Sequence, residues 1–138
     1  MARIFLETSV VIRLLEGTPA ERAALEARLL GTRSGRDVGV TSDLVRFECL
    51  VLPRRDSRRE LEHLYEGFFA ASALELWPLS RAVFDVAIEA RAAERFSTPD
   101  ALHLATAVVA GCDVFLTADR DLARFTRVAV ELFAPPPE

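Results

Sequence analysis

Arg3-Ile4-Phe5-Leu6-Glu7-Thr8-Ser9-Val10-Val11-Ile12 joins a short apolar run to a carboxylate, two hydroxyl residues and a second apolar run. Ile4, Phe5 and Leu6 show no polar alternation, as expected of a strand covered on both faces in a parallel sheet. From Thr8 the period changes. Val11, Leu14 and Leu15 recur at helical spacing, and Gly17 stops the pattern. A buried strand thus feeds a helix, with Glu7 at the strand's carboxyl end. In open α/β sheets that end borders the crevice where ligands sit.

The alternation continues along the chain. Thr18, Pro19 and Glu21 have the chemistry of a helix start, and that helix runs to about Leu30. Gly31–Asp37 reads as a loop. Val38–Val40 is a second strand. Thr41-Ser42-Asp43 opens a helix with its apolar stripe on Leu44, Phe47 and Val51, which Pro53-Arg54-Arg55-Asp56 should break. A further helix is expected over 57–71 on Leu61, Leu64, Tyr65 and Phe68. Leu74–Trp77 is a third strand. Ser80 caps a helix over 81–95, with Val83, Val86, Ala87 and Ala90 inward. Ser97-Thr98-Pro99-Asp100 starts another, ended by Gly111. Val114–Leu116 and Val128–Leu132 are strands, with a short helix or turn over 119–125 between them. The pattern predicts an α/β fold with a central, mostly parallel sheet of about five strands flanked by helices. One domain is expected over 1–134, with a proline-rich tail over 135–138.

Composition bounds the function. The 138 residues hold enough apolar material, 51%, for a core of one domain. No apolar run approaches the ~18 residues of a membrane span, and no secretory leader is evident. Cys49 and Cys112 lie far apart and read as reduced thiols, which favours a cytoplasmic protein. The net charge of −4 excludes a general polyanion binder, and all 17 basic residues are arginine. Clusters at Arg33–Arg36 and Arg54-Arg55 with Arg58-Arg59 are either solvated faces or phosphate contacts at a rim; Arg58 precedes Glu62 by four residues and can pair with it.

Glu48, Asp100 and Asp119 join Glu7 as acids in unusual places. Glu48 lies four residues after Leu44 and three before Val51, on the apolar stripe of its helix. A carboxylate there must be paired with an arginine such as Arg46, or held by a metal. Asp100 follows Pro99 and shares a face with Leu104 and Ala107. Asp119 follows a strand and Thr117. Alone, Asp100 suits a first-turn acid and Asp119 a helix cap. Four together repel one another unless a cation compensates them. Hard oxygen ligands of this kind suit Mg²⁺ or Mn²⁺ and not zinc, and neither His63 nor His103 combines with the cysteines into a zinc site.

Three segments and Glu48 carry a family resemblance: Phe5-Leu6-Glu7-Thr8-Ser9, Thr98-Pro99-Asp100-Ala101-Leu102-His103-Leu104-Ala105-Thr106-Ala107, and Phe115-Leu116-Thr117-Ala118-Asp119-Arg120-Asp121-Leu122. In order and spacing, over essentially the whole chain, they resemble a PIN domain of the VapC type, the ribonuclease toxins of bacterial toxin–antitoxin pairs. The resemblance implies that Glu7, Glu48, Asp100 and Asp119 bind Mg²⁺ or Mn²⁺ and act in RNA cleavage by water, leaving a 5′-phosphate. Ser9 and Thr117 would support the site. It also implies a homodimer and a cognate VapB-type antitoxin that blocks the cleft. Glu7 departs from the family pattern, which has Asp, and the added methylene moves the carboxylate by about 1.5 Å. The alternative expectation is therefore a catalytically impaired PIN-like module that binds RNA or protein.

Overall fold

In the computed structural model, which describes residues 1–134 and 137, strands and helices alternate as the pattern predicts. The strands are β1 (Arg3–Leu6), β2 (Val38–Ser42), β3 (Leu74–Trp77), β4 (Val114–Thr117) and β5 (Ala129–Leu132). The helices are α1 (Thr8–Glu16), α2 (Pro19–Arg28), α3 (Leu30–Arg33), α4 (Asp43–Arg55), α5 (Arg59–Phe69), α6 (Arg81–Glu94) and α7 (Thr98–Val109), and a 3₁₀ turn spans Arg120–Arg124. Apart from Pro137, the expected proline tail lies outside the described residues.

All strand pairs are parallel, in the order β3-β2-β1-β4-β5. The chain builds outward from β1 through β2 to β3, then returns to the other side of β1 for β4 and β5. The order therefore reverses between β1 and β4, and the crevice at their carboxyl ends is the favoured ligand site of such a sheet. β1 is the central strand, and its Ile4, Phe5 and Leu6 are all buried. Phe5 and Phe115 are register partners and stack, with ring centroids 5.1 Å apart.

Local chemistry sets most helix ends. Thr18 and Glu21 form a reciprocal capping box, with Pro19 in the first turn. Ser42, Ser80 and Ser97 each accept a backbone amide at the start of their helices. Gly111, just past α7, has φ +67°, a conformation that favours glycine.

Four expectations need correction. Leu30–Arg33 is a short helix and not loop, closed by Ser34 N–H donating to the Leu30 carbonyl. Pro53 does not break α4; it sits in the last turn, and the helix ends at Arg55. Only one intrahelical bond is forfeited there, and Pro53 is buried against the core. The buried stripe of α4 is Val45, Cys49, Leu50 and Pro53, whereas Phe47 is 63% exposed and Val51 43%. Two apolar stripes one residue out of phase fit this helix equally well, and only its docking selects one. α5 is rotated likewise, with Tyr65 and Phe69 inward and Leu64 exposed. Among the described residues no helix is long and apolar enough to cross a membrane. Both cysteines are free.

Candidate metal centre

A cleft of about 490 Å³ opens at the carboxyl end of β1, lined by Glu7, Thr8, Ser9, Arg13, Glu48, Asp100 and His103, with Ile12, Val51 and Leu52 on its wall. Thus β1, α4 and α7 bring Glu7, Glu48 and Asp100 to one place. Asp119 does not line that cleft. It is exposed at the end of β4 and caps the 3₁₀ turn, its Oδ1 accepting the Asp121 amide at 3.0 Å. Its charge still reaches Asp100, as described below.

Glu7 is buried, 7% exposed, and its carboxylate has curled back onto the chain. Oε1 accepts from the Ser9 hydroxyl at 2.5 Å and the Thr117 hydroxyl at 2.6 Å, while Oε2 accepts the Ser9 amide at 3.2 Å. Glu7 therefore caps α1 itself. Ser9 Oγ also accepts the Ala118 amide at 2.9 Å, and Thr117 Oγ1 accepts the Asp119 amide at 3.1 Å. These bonds tie the ends of β1 and β4 together across the point where strand order reverses.

Among the described residues Glu48 has no arginine partner. Its Oε1 accepts from the Thr8 hydroxyl at 2.5 Å and lies 2.7 Å from His103 Nε2. Burial pushes the Glu48 carboxyl up, but the hydrogen bonds from His103 and Thr8 outweigh it and leave it below the ordinary range. Asp100 shifts the other way. Burial is the largest cause, opposed by a hydrogen bond to Ser97 and reinforced by the charges of Asp119 and Glu7. Uncompensated carboxylates within electrostatic reach of one another are what a cation relieves.

The roles of Thr8 and Arg13 escaped the sequence reading. Thr8 binds a carboxylate from another helix. Arg13 follows Ser9 by one turn, donates to its carbonyl at 3.0 Å, and approaches Glu21 at 3.4 Å. The i, i+4 spacing from Ser9 was its only signal. The second arginine cluster is largely neutralised: Arg54 pairs with Glu62, and Arg58 reaches Glu16 where Glu62 was expected.

The PIN domain family model matches residues 4–129, and the chain belongs to the PIN domain family. No curated protein matches it in sequence. Solved structures match it in fold. A chain of VapBC2 from Rickettsia felis, bound to a DNA fragment from their promoter, aligns with TM-score 0.76 and 16% identity over 96% of this chain and 99% of that one. VapC20 from Mycobacterium tuberculosis, a Sarcin-Ricin loop cleaving toxin, aligns with TM-score 0.71 and 21% identity over 91% and 98%. A toxin–antitoxin complex from Klebsiella pneumoniae aligns with TM-score 0.69 and 22% identity over 93% and 96%.

Proposed function

We propose that this chain is a divalent-metal-dependent endoribonuclease and the toxin of a toxin–antitoxin pair. One observation carries the reading: Glu7, Glu48 and Asp100, from three separate elements, line one cleft at the switch point of a PIN-family sheet. The Sarcin-Ricin loop cleaving character of VapC20 and the toxin–antitoxin character of the Klebsiella complex support it.

Among the described residues no three His, Cys, Asp or Glu side chains are gathered closely enough, as they stand, to hold a metal ion. The donor set nevertheless fits a hard cation. It is made of carboxylates, one of which, Asp100, is destabilised as an anion first by burial and then by the charges of Asp119 and Glu7. Glu7, Glu48 and Asp100 would hold Mg²⁺ or Mn²⁺ in the cleft, and Asp119 would join them by turning in from its cap on the 3₁₀ turn. The bound ion would acidify water and neutralise charge on the scissile phosphate. Ser9 and Thr117 hold Glu7 in place. Arg13, the one arginine on the cleft wall among the described residues, meets an incoming phosphate.

Ile12, Val51 and Leu52 are exposed apolar residues beside the cleft, which suits a VapB-type antitoxin helix laid over it. Phe84 and Ile88, exposed one turn apart on α6, suit a homodimer contact. The setting is the cytoplasm.

The test is cleavage of single-stranded RNA with Mg²⁺ or Mn²⁺, compared with Asp100→Asn. Metal-dependent cleavage lost in the variant is the expected result; equal rates would refute the mechanism. A second reading has its own observation. Three protein donors already occupy the Glu7 oxygens, which is how an impaired, purely binding PIN module would look. Glu7→Asp separates the two: a large gain in cleavage identifies the present chain as impaired.

A further inference from the structure

His103 is the one buried side chain, among the described residues, with a polar atom left without a partner: Nδ1 makes no hydrogen bond. The residue is 2% exposed, in a stretch of α7 whose other members from Ala101 to Ala107 are apolar apart from Thr106. A leucine would sit there without leaving any polar atom unsatisfied. The other ring nitrogen is fully engaged. Nε2 lies 2.7 Å from Glu48 Oε1, and Thr8 Oγ1 donates to that same oxygen while lying 3.5 Å from the ring. A carboxylate oxygen only accepts, so Nε2 carries the hydrogen. Glu48 Oε2 has no protein partner among the described residues.

We infer that His103 is a positioning residue for Glu48: its Nε2–H and the Thr8 hydroxyl together tie down Oε1 and leave Oε2 as the oxygen presented to the cleft. Three helices meet in this tie, α1 through Thr8, α4 through Glu48 and α7 through His103. Asp100, one turn before His103, faces the same cleft, so α7 delivers one acid directly and orients a second through its imidazole. Without the imidazole, one hydroxyl would hold Oε1 and the carboxylate would be free to rotate away.

The inference rests on the metal reading proposed above, and the experiment separates the two. Mn²⁺ affinity is measured by calorimetry on the full chain and on Glu48→Gln, His103→Leu and His103→Gln. Gln places an N–H the same number of bonds from Cα as Nε2. We expect Glu48→Gln and His103→Leu each to weaken Mn²⁺ by ~10–100-fold, and His103→Gln to stay within ~3-fold of the unmodified chain. If Glu48→Gln weakens binding and His103→Leu does not, the role of His103 is overturned and the metal reading survives. If the unmodified chain binds no Mn²⁺, both fall. Should His103→Leu fail to fold, long-range ¹H–¹⁵N spectra of the unmodified chain still decide. An imidazole protonated at Nε2 is the expected result, and one protonated only at Nδ1 overturns the assignment.

Discussion

Replacing Thr117 with valine keeps the shape of a fully buried side chain and removes one hydroxyl. That hydroxyl donates to Glu7 Oε1 at 2.6 Å and accepts the Asp119 amide at 3.1 Å. Hydrogen bonds to charged groups contribute ~1.5–3 kcal/mol, and ordinary ones ~0.5–1.5 kcal/mol. The Asp119 amide lies near the surface, where water can replace part of its loss. The structure therefore predicts a destabilisation of roughly 2–4 kcal/mol, a sizeable part of the ~5–15 kcal/mol that holds a domain of this size. With a urea m-value of ~2 kcal/mol/M, the middle of the usual ~1–3 range, the midpoint should fall by about 1–2 M. Urea denaturation at neutral pH measures this, and a double-mutant cycle with Glu7→Gln isolates the shared term. If Glu7 is gripped as described, the two changes are strongly non-additive, because the second removes a charge that the first has already left short of a donor. A midpoint shift below about 0.3 M, or simple additivity of the pair, would refute the clamp on Glu7.

Three further outcomes follow from the same structure. Mn²⁺ at ~100 times its Kd should stabilise the protein by ~2.7 kcal/mol in thermal denaturation, and Asp100→Asn should lose that gain; because the Asp100 pKa is raised, affinity should weaken as pH falls through that raised value, and a pH-independent affinity would count against Asp100 as a ligand. Glu75 is held down at about 2, chiefly by its hydrogen bond to Arg3 and then by Trp77. Its stabilisation is complete above the usual glutamate range and is lost as pH falls from there towards 2, so Glu75→Gln should flatten the acid limb of the stability profile by ~1 kcal/mol or less, given its exposure to solvent. Phe115→Leu removes the stack on Phe5 and leaves a void, and should cost ~1–3 kcal/mol in chemical denaturation, whereas a loss under ~0.5 kcal/mol would mean the ring pair adds little to the core.

The sequence by itself determined the class of fold, because strand and helix periods are local properties. Ile4-Phe5-Leu6 reads as a covered strand, and Thr18-Pro19 with Glu21 reads as a helix start, without knowledge of any neighbour. It also singled out Glu7, Glu48 and Asp100 as acids where an acid is costly, and motif spacing pointed to the family. What it could not determine was rotation. In α4 the stripes Leu44/Phe47/Val51 and Val45/Cys49/Leu50 satisfy the same 3.6-residue period, and only packing chose the second. Partnership was equally out of reach. An arginine was the natural companion for Glu48, yet Thr8 and His103, 40 and 55 residues away, hold it. The turn of Glu7 onto Ser9 and Thr117 depends on β1 lying beside β4, a contact 110 residues apart. Hydrogen bonds between such distant residues are products of the closed sheet, and no window along the chain contains both ends of them.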